Sequence, residues 1–361
     1  MASPEHDGQA GAPRSGRHWR WLRWVLAVAL LALLIGEGVY LVPRLHESWR
    51  ALTEMHWGIA LACVVAQAVS LSAFARVQKQ LLAAGGVRVT QRRSLSVIYA
   101  STAMSVTLPA GQVFSTAFTY RETRRWGASP VVASWQLAIS GVIAALGLAL
   151  LGVSGALLVG GSANTTTLIL PVAGVIALVA AVRYVRAHPR SIVAAGRWGL
   201  AKYNALRGNA VDAGRARLDA IVDQVTSVRL GPRDAAAAAG FSAVHRLADV
   251  ACLGLACFAV GADPRIYGLL LVFSAGKTVG SIPGAPGGLV IVDATLIATL
   301  TTAASISASQ AVAAALVYRV VSFVLVAVVG WVVFLALFRS HRLEDARAEF
   351  EQESERTTAG E

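Results

Sequence analysis

Residues Ser274–Thr295 read SAGKTVGSIPGAPGGLVIVDAT, and this stretch decides how the rest of the chain folds. It lies among runs apolar enough to cross a bilayer, yet it cannot continue as one membrane helix. Pro283 and Pro286 lack an amide donor and clash with the preceding helical turn. Gly280, Gly284, Gly287 and Gly288 carry no side chain and let the backbone turn back. The flanking apolar arms are Ile266–Ile282 and Leu289–Leu300. The second arm is too short for a hydrocarbon layer of about 30 Å. Irregular backbone at membrane depth is tolerated only inside protein or along a wet cavity. The expectation is a re-entrant hairpin of two half-helices meeting at the Pro/Gly break. Lys277 and Asp293 flank that break, and opposite charges at membrane depth point to a functional site.

Composition agrees with a membrane environment. The chain has 361 residues, of which 56% are hydrophobic and 14% charged. Soluble domains carry about 25% charged residues. Several apolar runs reach the length of a membrane span, so the fold class expected is an all-α polytopic membrane protein. The net charge is +12, but the basic residues sit in short loops beside apolar spans. That distribution marks cytoplasmic loops and argues against nucleic acid as a partner. Cys63, Cys252 and Cys257 all fall within apolar spans, without metal-ligand spacing, and read as buried structural thiols.

Working outward from the break, six full spans are expected: Val25–Val42, Trp57–Ala75, Val131–Leu151, Thr167–Val182, Ala235–Val260 and Ser307–Phe338. Residues 1–22 form a basic, disordered N-terminus. Residues 23–340 form the transmembrane domain, and 341–361 a disordered charged tail. A second break stands at Leu108-Pro109-Ala110-Gly111-Gln112, between the short arms Ser94–Leu108 and Val113–Tyr120. Pro109 and Pro283 lie 174 residues apart (283 − 109), each inside the same span–hairpin–span order. The pattern predicts an inverted repeat with both termini cytoplasmic. Paired broken segments of this kind point to a transporter's midplane site.

Loop charge sets the orientation. Residues 183–233 hold ten Arg or Lys against Asp212, Asp219 and Asp223, whereas 152–166 hold no charge. The first loop is therefore cytoplasmic and the second external. Single cysteines in Ser191→Cys and Ser162→Cys should label from opposite sides with an impermeant thiol reagent. Labelling of both from one side would contradict the inverted repeat. The 183–233 loop reads first as a cytoplasmic connector lying near the anionic leaflet, with a docking platform for an envelope enzyme as the alternative.

Five ionisable residues fall at membrane depth: Arg246, Asp249, Lys277, Asp293 and Arg319. Arg246 and Asp249 are three residues apart, so they share a helix face and can pair. Three cations against two carboxylates leave one positive charge for an anionic ligand. Arg246, Lys277 and Arg319 are the expected headgroup ligands, with Tyr318 beside them and Asp293 orienting one cation. No GxSxG, HExxH or phosphate-binding loop occurs, and the seven His are scattered. Neither enzymatic activity nor a metal or cofactor is expected.

Ile282-Pro283-Gly284-Ala285-Pro286-Gly287-Gly288-Leu289-Val290-Ile291-Val292-Asp293-Ala294 resembles the P-x-x-x-GG-x-G-x-x-E signature of the lysylphosphatidylglycerol synthase transmembrane family. Val290 replaces the family's usual Gly, and Asp293 its usual Glu. Leu108-Pro109-Ala110-Gly111 is similar to the family's first break, and Tyr318-Arg319 with Ser322 to its last-helix Tyr-Arg motif. The resemblance covers residues 20–340. It implies a flippase-like membrane domain that handles an anionic or aminoacylated phospholipid in a bacterial cytoplasmic membrane. The family's aminoacyl transferase domain is not seen, so lysyl-lipid synthesis is not expected. A lipid transporter, which could act as a homo-oligomer, a membrane scaffold for an envelope enzyme and an intramembrane transferase using Asp293 remain as readings of the sequence.

Overall fold

A computed structural model describes residues 55–108, 110–159, 180, 230–280, 289–340 and 342. Pro109 and, at the second break, Pro283, Gly284, Pro286, Gly287 and Gly288 lie outside these residues. The 183–233 loop, apart from its last four residues, and the span Val25–Val42 also lie outside them.

Eight helices follow in order among the described residues: α1 Trp57–Ala84, α2 Gln91–Thr107, α3 Gly111–Arg125, α4 Pro130–Val159, α5 Pro232–Ala259, α6 Ile266–Gly280, α7 Leu289–Thr302 and α8 Ala308–Ser340. Four of them, α1, α4, α5 and α8, are long and apolar enough to cross a membrane. The other four are short. At 1.5 Å per residue, the 15 residues of α6 reach about 22 Å, less than a hydrocarbon layer of about 30 Å. The outer faces identify the solvent. Trp57, Leu61, Val65 and Val69, one turn apart along α1, are 74%, 65%, 56% and 46% exposed. Soluble monomers rarely expose so continuous an apolar stripe. The chain is a multi-pass integral membrane protein.

The order long, short, short, long occurs twice. α5 begins 175 residues after α1 (232 − 57), and α6 175 after α2 (266 − 91). α7 begins 178 after α3 (289 − 111), and α8 178 after α4 (308 − 130). The first helices of the two units pack against each other in opposite directions. The His56 amide donates to Ala259 O at 2.9 Å, and Cys63 Sγ to Cys252 O at 3.2 Å. Ser70 Oγ bonds His245 Nδ1 at 2.7 Å, and Gln80 Nε2 donates to Asp234 Oδ1 at 2.7 Å. Partner numbers fall along α5 as they rise along α1, so the repeats are inverted. Ser70 and His245 are themselves 175 apart. They are equivalent positions meeting where the two halves cross.

Each short pair also leans on the opposite unit. A Cβ on Gly155 of α4 would lie 2.7 Å from Leu271 N of α6. One on Gly330 of α8 would lie 2.3 Å from Tyr99 O of α2. Trp331 Nε1 donates to Thr107 Oγ1 at 3.1 Å, tying the tip of α2 to α8.

The short helices fold back as the Pro/Gly breaks predict. Along α6 and α7, Gly268 meets Ala303, Gly276 meets Leu296 and Gly280 meets Val292, which makes the pair antiparallel. At the first break Ala110 takes a left-handed φ of 55°, and a Cβ on Gly111 would lie 2.4 Å from the carbonyl oxygens of Met104 and Ser105. Only backbone fits there. Gly111→Val should lower stability in detergent by about 1–3 kcal/mol, the range for overpacking a tight contact. An unchanged melting temperature would mean that α2 and α3 do not approach so closely.

Candidate functional site

The membrane-depth charges come from all four helices of the second unit. Arg246 and Asp249 sit on α5, Lys277 on α6, Asp293 on α7, and Arg319, with Tyr318 before it, on α8. The repeat offsets, 175 for α5 and α6 and 178 for α7 and α8, give the equivalent positions in the first unit. They are Leu71 for Arg246, Phe74 for Asp249, Thr102 for Lys277, Ser115 for Asp293 and Gly141 for Arg319. None of these five is charged. The two units share a scaffold, and only the second carries this set of charges.

Asp249 is the hub of that set. It is 2% exposed, and its Oδ2 lies 3.0 Å from Lys277 Nζ. Tyr318, also buried, donates its hydroxyl to Asp249 Oδ1 at 3.2 Å. One carboxylate thus joins α5, α6 and α8. Burial of a carboxylate is tolerated when it is paired and hydrogen-bonded in this way. The sequence spacing allows an Arg246–Asp249 pair, and the structure gives Asp249 another partner. The α6 hairpin arm brings Lys277 to Asp249, while Arg246 turns toward α4. An (i, i+3) spacing permits a pair but does not select it over a partner from another helix.

A second pair closes the other side. Arg319 Nε lies 3.2 Å from Asp293 Oδ1, and both side chains are about nine-tenths buried, at 9% and 10% exposed. Arg319 also lies over the Phe323 ring at 5.2 Å, and Lys277 Nζ over Phe273 at 5.3 Å. Directly after Tyr318-Arg319, residues Val320–Leu325 wind as a π-helix. Such wide turns inside α-helices are frequent at functional sites. The run contains neither Gly nor Pro, so nothing in the sequence announces it.

Arg246 stands apart from both pairs. Among the described residues it has no carboxylate partner. Its Nη2 donates to Ala144 O of α4 at 3.0 Å, and its Nε is buried without an acceptor. Gly147, one turn further along α4, packs beside the same side chain: a Cβ there would lie in ordinary contact with it, 3.8 Å from Arg246 Cγ. The structure therefore brings Lys277, Asp293 and Arg319 into two ionic links, Asp249–Lys277 and Asp293–Arg319, with Tyr318 hydrogen-bonded to the first and Arg246 outside both.

A family model described as the lysylphosphatidylglycerol synthase TM region matches residues 19–330. No curated protein matches the chain.

Proposed function

The chain belongs to the lysylphosphatidylglycerol synthase transmembrane family, and from that premise we propose that it moves an anionic or modified phospholipid across the membrane without ATP. Membership itself supports a membrane protein of phospholipid metabolism or transport. The finer reading rests on one observation. In the second unit three cations face two carboxylates, and Arg246 is the cation with no carboxylate among the described residues.

An uncompensated cation at membrane depth is costly, and a phosphate headgroup would relieve that cost. A guanidinium can give a phosphate two parallel donors in a planar fork. Lys277, whose side chain is 40% exposed, supplies a second positive charge beside Asp249. In this reading Arg319 and Tyr318 complete the headgroup site, and Asp293 orients the Arg319 guanidinium. The membrane is the bacterial cytoplasmic membrane, with both termini on the cytoplasmic side.

Purified protein should retain phosphatidylglycerol and cardiolipin in preference to phosphatidylcholine, read by native mass spectrometry across the three lipids. Equal retention of anionic and zwitterionic lipid would overturn the proposal and favour a scaffold that does not handle lipid.

A further inference from the structure

The last helix is fastened to both units, and its winding changes between the two attachments. In its first half, Tyr318 donates to Asp249 of α5 and Arg319 pairs with Asp293 of α7. In its second half, Trp331 donates to Thr107 of α2, and Phe334 meets Phe118 of α3 edge to face at 5.6 Å. Gly330 leaves no play there, because a Cβ on it would lie 2.3 Å from Tyr99 O. The π-helical run Val320–Leu325 lies between the two attachments and begins directly after Arg319. It contains no Gly or Pro to impose the wide turn, so its geometry is set by the attachments at its two ends.

A π turn bonds residue i to i+5 rather than i+4, so the run holds one residue more than an α-helical path would. Rewinding it as α-helix displaces one flank by one residue, about 100° of rotation and about 1.5 Å of rise. The two flanks are not equally free to turn. The second is held by Gly330 against backbone and by Trp331 and Phe334 against α2 and α3. The first is short, Ala308–Arg319, and four of its buried positions, Ala311, Ala313, Ala314 and Ala315, carry only methyl groups. Such a surface has no large ridges to withdraw from neighbouring grooves. The first flank is therefore the one that turns. One residue of shift carries Arg319 off Asp293 to the place that Tyr318 holds beside Asp249, and brings Val320 to the place of Arg319.

We propose that Val320–Leu325 is a register switch, through which the charged site of the second unit turns against the short helices of the first. This rests on the lipid-handling reading above and adds how occupation of the site reaches the rest of the fold. The Asp293 pair holds Arg319 in the register seen here. A headgroup phosphate competes with Asp293 for the same guanidinium donors. Release of the pair lets the first flank rewind while the second stays on α2 and α3. Shifts of one packed helix past another are an established form of switching.

The test uses full-length protein in phosphatidylcholine nanodiscs, with spin labels on Ser309→Cys of α8 and Leu61→Cys of α1. Both positions are exposed, and the native thiols are buried. The distance between the labels is measured with and without phosphatidylglycerol. On a helix about 10–12 Å across, a turn of about 100° moves a side chain by about 8 Å. Phosphatidylglycerol should therefore add a second, shifted distance. Deletion of Leu325 removes the extra residue and leaves both flanks in place. That variant should fold, retain phosphatidylglycerol, give one distance with or without it, and lose movement of lipid between leaflets. Deletion of Val320 is a second variant of the same design, for use if the first does not fold. Movement of lipid at the wild-type rate in a folded deletion variant would overturn the switch. So would retention of phosphatidylglycerol by wild type with no change in distance, and in both cases the lipid reading stands. Equal retention of anionic and zwitterionic lipid by wild type would remove the lipid reading itself, and the switch with it.

Discussion

Asp293→Ala should destabilise the protein by about 3–5 kcal/mol, the cost of removing one partner from a buried ion pair. Asp293 and Arg319 meet at 3.2 Å with their side chains only 10% and 9% exposed. Without the carboxylate, a guanidinium remains inside the bundle against Phe323, with no matching charge from position 293. The pair also joins α7 to α8, so its loss loosens the hairpin where it meets the last helix. The double variant Asp293→Leu/Arg319→Met should recover most of the loss, because two apolar groups of similar volume leave no buried charge. Chemical unfolding in detergent, run as a double-mutant cycle, reads both effects. A single variant as stable as wild type would show that the pair does not hold these helices together.

Arg246→Gln should have the opposite signature. It removes a cation that has no carboxylate among the described residues, so stability should hold or rise slightly. Retention and movement of anionic lipid should fall about ten- to hundredfold, the scale of losing charge-assisted hydrogen bonds worth about 1.5–3 kcal/mol. Arg246→Lys keeps the charge but not the fork, and should recover only part of the activity. A gain in stability with a loss of function is the pattern expected where a site keeps a group for function at the expense of folding. Activity and stability falling together in Arg246→Gln would mean that Arg246 is a packing residue held by Ala144.

Much of the architecture is legible in the sequence because it follows from a few strong local signals. The short arms can be placed because Pro and Gly interrupt runs too short to span, and α2, α3, α6 and α7 stand where those arms are expected. The repeat is legible through spacing: the 174 residues between Pro109 and Pro283 anticipate the 175 that separate Ser70 from His245. The ionisable residues are visible as charges within apolar runs. Their pairing is not, because it depends on the rotation of one helix against another. Asp249 could pair with Arg246 on its own helix, and only the packing of α6 against α5 brings Lys277 to it. The turn of Arg246 toward the Ala144 carbonyl of α4 likewise belongs to tertiary structure.

The central claim is that the second unit carries a lipid-headgroup site built around Arg246. The most direct measurement is movement of fluorescent lipid between leaflets in proteoliposomes, read by quenching with an impermeant reductant. Wild-type protein should move labelled phosphatidylglycerol faster than labelled phosphatidylcholine, and Arg246→Gln, folded and inserted to the same extent, should lose that difference. Equal rates for the two lipids in wild type, or an unchanged preference in Arg246→Gln, would contradict it.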